Sequence, residues 1–405
     1  MDVNSVNVGV MSSALVEGVD GQVSIPMELC DDEKSKAWWS RCLAAGLSAM
    51  DWIFGLMALA VGLALLSIVP VFNLLSLGYL LEVSGRVART GKVRSGFVGI
   101  RKASRLGSVV IGAWVVLLPL RYVYGMWRDA ELIAPASAEG WRLALIALSV
   151  VAFFHIAWAC VRGGRLWHFL WPAPLRFWRW LGGRGKWGRV WARAWDYVSE
   201  LNMPYYFWLG ARGFVGAVIW LLIPVALLIL AAGRSPGLGA LLSVLGVLLL
   251  TPVVMWLPFL QAHFARVGRF GALFELREIR RLFANAPIAF WLAFFITLLF
   301  ALPLYLLKIE LAPRDLAWLP SLLFILFIFP ARLLAGWAMS RAVRRDQRGV
   351  SACGAFSRWV SRLAFLPVAL IYVLLVYVTQ YLVQNGSMSL LEQHAFLVPA
   401  PMMGM

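Results

Sequence analysis

The residues best equipped for chemistry lie between 162 and 200. Seven tryptophans stand there among seven arginines and one lysine. At the helical angle of about 100° per residue, Trp187, Val190, Trp191, Ala194, Trp195 and Val198 share one face of a helix from Lys186 to Glu200, and Lys186, Arg189, Arg193, Asp196 and Glu200 share the other. Tryptophan rings favour headgroup depth, and Lys and Arg are drawn to an anionic leaflet. The chemistry implied is contact with anionic lipid headgroups by a helix lying in the interface. The same pattern also suits an anchor that only fixes depth and tilt, or a docked partner helix. Pro172 and Pro174, and then Gly182, Gly183 and Gly185, break the segment before that helix starts.

A second set lies inside apolar runs: Arg332, Asn73, His155 and Arg121. Ionisable groups in hydrocarbon mark substrate or ion paths by default. Against that reading, Arg332 sits close enough to the end of its run to snorkel, and His155 has no neighbour at metal-ligand spacing, so a packed neutral imidazole accounts for it. Arg121 divides in the same way. Acidic residues are absent from the runs, which argues against a carboxylate-driven proton or cation relay. A lipid-directed enzyme would need a polar cluster at headgroup depth, for which His168, Glu200 and Asn202 are the available groups. H-E-x-x-H, G-x-S-x-G and G-x-x-x-x-G-K are all absent, and the four cysteines show no zinc spacing. No catalytic residue, cofactor or metal is therefore expected.

The elements that must position these groups are membrane helices. Of the 405 residues, 61% are hydrophobic and 14% charged, too little charge for the polar skin of a soluble domain. A bilayer core about 30 Å thick needs about 20 apolar helical residues. Spans are expected at 52–70, 107–127, 143–161, 213–232, 238–260, 286–306, 318–338 and 363–384. Backbone groups in lipid must be paired within the segment, so these runs are helices. The fold class expected is an all-α transmembrane bundle of seven or eight spans over 37–384, after an acidic, disordered tail at 1–36 and before a C-terminal tail at 385–405.

Orientation follows from the Lys and Arg distribution. The stretches 82–106, 162–212, 261–285 and 339–362 carry 27 of the 37 Lys and Arg, which places them on the cytoplasmic side and the C-terminal tail outside. The net charge of +17 then belongs to cytoplasmic loops, not to nucleic-acid binding. The stretch from Trp52 to Leu81, interrupted at Pro70 and Asn73, is long for one span and short for two. It is either a simple entry span, with the N-terminus outside, or a broken hairpin, with the N-terminus inside. With the tail outside, Cys30 and Cys42 are available for a disulfide. Glu82 stands four residues before Arg86, the spacing of a helical ion pair, and Asn202 is placed to cap the helix that follows it.

Asp51-Trp52-Ile53, then Ile68-Val69-Pro70 through Asn73 to Gly78-Tyr79-Leu80 and Glu82, resembles the opening of a prokaryotic membrane family called domain of unknown function 4013. Gly268-Arg269-Phe270, Leu273-Phe274 and Ile279 resemble its second half. The resemblance covers about half the chain and departs from the family after Arg94, where Ser95 to Ile100 replace an L-P-x-W segment. It implies a polytopic membrane protein and carries over no activity or site residue. A weak internal echo, Arg86 to Arg89, Arg266 to Arg269 and Arg341 to Arg344, suggests a repeated unit of helix and basic segment.

The reading is a multi-pass protein of a prokaryotic cytoplasmic membrane, a non-catalytic scaffold, assembly or lipid-contacting protein with anionic headgroups as partners. The alternative is a transporter or channel subunit with a polar site near Arg332, Asn73 and His155.

Overall fold

The computed structural model describes residues 27–181, 186–231, 234–309, 318–349 and 353–382. Among these, every regular element is helical: α1 (Met27–Ile68), α2 (Pro70–Thr90), α3 (Ile100–Ile133), α4 (Pro135–Val161), α5 (Leu166–Leu170), α6 (Pro174–Leu181), α7 (Lys186–Glu200), α8 (Met203–Ala231), α9 (Pro236–Val267), α10 (Leu276–Asn285), α11 (Pro287–Ile309), α12 (Trp318–Gln347) and α13 (Ala355–Leu382). The expected C-terminal tail, and the tail before Met27, lie outside the described residues. Prolines open α2, α4, α6, α9 and α11, where their missing N–H leaves no helical bond unmade. Gly91 and Gly268 close α2 and α9 in the left-handed region, at φ 67° and 79°, which glycine enters without Cβ strain. Each is followed by a 3₁₀ turn, Val93–Gly96 and Phe270–Phe274. Two of the three sequence echoes therefore share one local geometry.

The chain divides by its contacts into two units, up to Met50 and from Asp51 onward. The first holds the start of α1, which begins at Met27 inside the stretch expected as tail. Cys30 and Cys42 both lie on α1, about 18 Å apart at helical rise, too far for a disulfide, and Cys42 is a free thiol.

Among the described residues, seven helices are long and apolar enough to cross a membrane, or eight when α10 and α11, bent by 112°, count as one broken span. They cover all eight expected spans. Their outward faces are apolar, with Val110, Trp114, Val151, Phe153, Leu222 and Ile223 exposed, as hydrocarbon solvent requires.

The element that positions the rest is α2. It has too many polar groups to register as a span, yet Ser76 through Gly85 are buried without interruption. It packs against α8, α9 and α12, and small residues make that approach possible. A Cβ on Gly78 would strike the Tyr206 carbonyl, one on Gly210 the Leu74 carbonyl, and one on Gly336 the Ser84 carbonyl. Below α2 a ring-rich core joins α9, α10, α11 and α13 through Phe259, Phe283, Phe290, Phe294 and Phe365, with Phe294 and Phe365 stacked at 4.6 Å. Ser76 Oγ donates to the Leu63 carbonyl at 3.0 Å, and Ser104 Oγ donates to Asp51 at 2.6 Å. The chain therefore breaks at Val69, between α1 and α2, and α1 touches α2 at Ser76 and α3 at Ser104.

Candidate functional site

The four basic stretches meet at one end of the bundle. Arg89 Nη1 donates to the Ala265 carbonyl at 2.7 Å and Arg344 Nη2 to the Thr90 carbonyl at 2.6 Å. Lys102 pairs with Glu200 at 2.9 Å. Arg281 pairs with Asp346 at 2.9 Å, and Arg212 donates to the Gly268 carbonyl at 3.2 Å. Segments far apart in sequence are tied here by cations reaching carbonyls and carboxylates.

Glu82 organises this end. Its side chain is 3% exposed and accepts from Arg86 Nε at 2.9 Å and Arg89 Nη2 at 2.6 Å. Its other oxygen accepts from Tyr205 Oη at 2.8 Å. The ion pair expected from the four-residue spacing forms, but the third donor comes from α8. A buried carboxylate with three donors is satisfied, so this cluster reads as a brace.

Beside it, the end of α9, the turn Phe270–Phe274 and α10 enclose an open cleft of about 840 Å³. Arg266, Arg269, Arg277 and Arg280 line it with His263, Glu275 and Glu278. His263 Nε2 donates to Glu275 at 2.9 Å. On α10, Ile279, Leu282 and Phe283 are buried, while Arg277, Arg280 and Arg281 are exposed. Ile279, Leu282 and Phe283 at helical spacing are the signal of this amphipathic helix within the basic stretch 261–285.

The intramembrane residues do not converge on one cavity. Arg332 on α12 is 4% exposed and donates from Nη1 to Gln261 Oε1 of α9 at 2.7 Å. It is held in the core and does not snorkel. Asn73 on α2 is also buried, and neither atom of its carboxamide has a hydrogen-bond partner. His155 lies on α4, where its Nε2 donates to the Phe169 carbonyl of α5 at 2.7 Å. Arg121 is exposed on α3. Helix α4 packs against α3 and α5, whereas α12 packs against α2, α9 and α11.

In the segment 162–200, α7 forms from Lys186 to Glu200 and presents Trp191 and Trp195 to the outside. The side chains of Lys186, Trp187, Arg189 and Arg193 lie outside the described residues. Tyr197 Oη donates to the Lys102 carbonyl at 2.8 Å, tying α7 to the start of α3. Glu200 is engaged by Lys102, while His168 lies on α5 near Arg162, Arg165 and Arg176. Burial, then those three charges, hold its imidazole below the ordinary range. Asn202 precedes α8 in a left-handed conformation, φ 49°, and its carbonyl, not its side chain, accepts from the Tyr206 N–H at 3.2 Å. Among the described residues, no group of His, Cys, Asp and Glu could hold a metal.

Apolar helices of span length, lipid-facing side chains and a bundle with charge at one end define a multi-pass membrane protein of the all-α class. No protein-family profile, no curated protein and no solved structure matches the chain, so the resemblance carried by Asp51 to Glu82 and Gly268 to Ile279 is neither supported nor contradicted.

Proposed function

We propose that the chain is a non-catalytic scaffold or assembly protein of a prokaryotic cytoplasmic membrane, with its basic end facing the cytoplasm and the anionic headgroups of the inner leaflet. The observation that supports this is the meeting of all four basic stretches at one end, next to exposed apolar spans. Lys and Arg are retained on the cytoplasmic side during insertion, and each near an anionic leaflet gains about 1 kcal/mol. The exposed tryptophans of α7 suit that depth.

Reporter fusions test the orientation. Tags within 86–105 and 339–362 should both report cytoplasm, and opposite sides would sink the reading. Lipid preference is a second test. Protein purified in detergent should take up anionic phospholipid in preference to a zwitterionic one. Replacing Arg189 and Arg193 by Gln should reduce that preference, and equal uptake of both lipids by the wild type would overturn the headgroup assignment.

A transporter or channel subunit is the second reading. It is favoured by Arg332 and Asn73, buried polar groups whose burial the packing alone does not explain. It is weakened by the separation of His155 and Arg121 from that core.

A further inference from the structure

We propose that the cleft between the end of α9, the turn Phe270–Phe274 and α10 is a binding site for an anionic lipid headgroup that ends in a phosphate monoester. The proposal rests on the reading of this end as the one that faces anionic lipid, and it names the place where a single lipid is held.

The charge in the cleft is unbalanced. Four arginines line it against two carboxylates. Glu275 is already engaged, by His263 at 2.9 Å and Arg269 at 3.4 Å. Glu278 faces Arg281, at 3.7 Å. Arg277 and Arg280 meet no carboxylate among the described residues, although both are exposed at the rim. Deeper in, Arg266 has only Nη2 within reach of His263 Nδ1, at 3.5 Å, and its Nε is buried with no acceptor. A buried cationic donor left without an acceptor is costly, and an anion between Arg266 and the rim arginines would supply one. Guanidinium forks match phosphate oxygens in pairs, with more direction than a lysine gives.

The walls indicate which phosphate. Val267, Phe274 and Leu276 form the apolar side of the cleft. The Phe274 ring stacks on Trp220 of α8 at 6.1 Å. Ile219, Leu222 and Ile223 are exposed farther along α8. The volume is in the range of small-molecule sites, about 300–1,000 Å³. A cationic pocket that passes into an apolar helix flank fits a phosphate monoester carried on acyl chains. Inorganic phosphate shares the arginine chemistry but gains nothing from the apolar side.

The test uses the full chain in detergent micelles and reads dissociation constants from thermal-unfolding shifts. The probes are short-chain phosphatidate, short-chain phosphatidylcholine and inorganic phosphate. Wild type should bind phosphatidate at least about tenfold more tightly than phosphatidylcholine. The double variant Arg277→Gln/Arg280→Gln should melt like wild type without ligand, because neither side chain holds a partner among the described residues, and should weaken phosphatidate binding about tenfold. Arg101→Gln/Arg105→Gln, exposed on α3 in another basic stretch, should bind as wild type does. Inorganic phosphate binding as tightly as phosphatidate would keep the phosphate site and identify free phosphate as its ligand. Unchanged binding in Arg277→Gln/Arg280→Gln overturns the site. So does an equal loss in both double variants, which leaves the diffuse lipid attraction of the proposed function standing. If wild type prefers no anionic lipid over phosphatidylcholine, that broader reading falls as well.

Discussion

Removing the charge of Arg332 together with its buried acceptor Gln261 should stabilise the protein. Arg332 is 4% exposed and Gln261 is fully buried, and Arg332 stands twelve residues before Arg344, about 18 Å up the helix. No carboxylate among the described residues pairs with it. Burying an unpaired ion costs several kcal/mol even after relaxation, and one hydrogen bond from a charged donor returns about 1.5–3 kcal/mol. The balance is unfavourable by about 1–3 kcal/mol, within the range seen when buried ions are replaced by apolar residues of similar volume. Arg332→Met alone leaves the Gln261 amide short of a partner, a cost of about 1–3 kcal/mol, so the single variant should be close to neutral. Arg332→Met/Gln261→Leu removes both groups and should gain about 1–2 kcal/mol. Gln261 also makes a further interaction, and its loss trims the gain. Reversible denaturant titration in detergent reads this as a higher midpoint with an unchanged slope. A double variant less stable than wild type by more than about 1 kcal/mol would show that the guanidinium is well paired, and the reasoning would fail.

The other expectations are structural. Glu82→Gln leaves Arg86 and Arg89 side by side without a counter-charge. Because their side chains are 44% and 39% exposed, solvent screens much of the loss, and the cost should be about 1–3 kcal/mol, below that of a fully buried broken pair. A double-mutant cycle with Tyr205→Phe should show coupling of at least about 0.5 kcal/mol, and strict additivity would remove Glu82 as the link between α2 and α8. Gly78→Val forces a side chain into the backbone of α8 and should cost about 3 kcal/mol or more, read as lost monodisperse yield. Gly271→Ala, with open space around it, should express like wild type.

The spans were legible because about 20 apolar residues in a row have one physical use, and all eight fall on helices. Helix α2 was not legible as the centre of the bundle. Asn73, Glu82, Arg86 and Arg89 lower its hydropathy, and what makes it tolerable in the core is pairing with Tyr205 and Ala265, residues that sequence spacing does not connect to it. Only the Glu82–Arg86 pair was visible, since four residues is one helical turn. Arg332 looked able to snorkel because its distance from the end of an apolar run was all that could be counted, whereas α12 continues to Gln347 and Gln261 waits 71 positions away on α9. That residues 186–200 form a helix was readable from their own periodicity. The arginine cleft was not, because it is made by the turn after α9 and by α10 folding over it, a tertiary event.

Two buried charges in one bundle therefore have different standing. Glu82 has three donors from two helices at the end where water and headgroups are close, and its burial is explained by the brace it forms. Arg332 has one neutral acceptor, deeper in the core, and the fold gains little from it. Packing selection alone would favour Met or Leu there, since either fills the volume without the desolvation penalty. If Arg332→Met/Gln261→Leu proves more stable, the arginine is kept at a cost to stability, and a cost of that kind is what a site for a passing anion would require. If it proves less stable, Arg332 is another strut like Glu82, and the case for transport loses the one deep cation among the described residues.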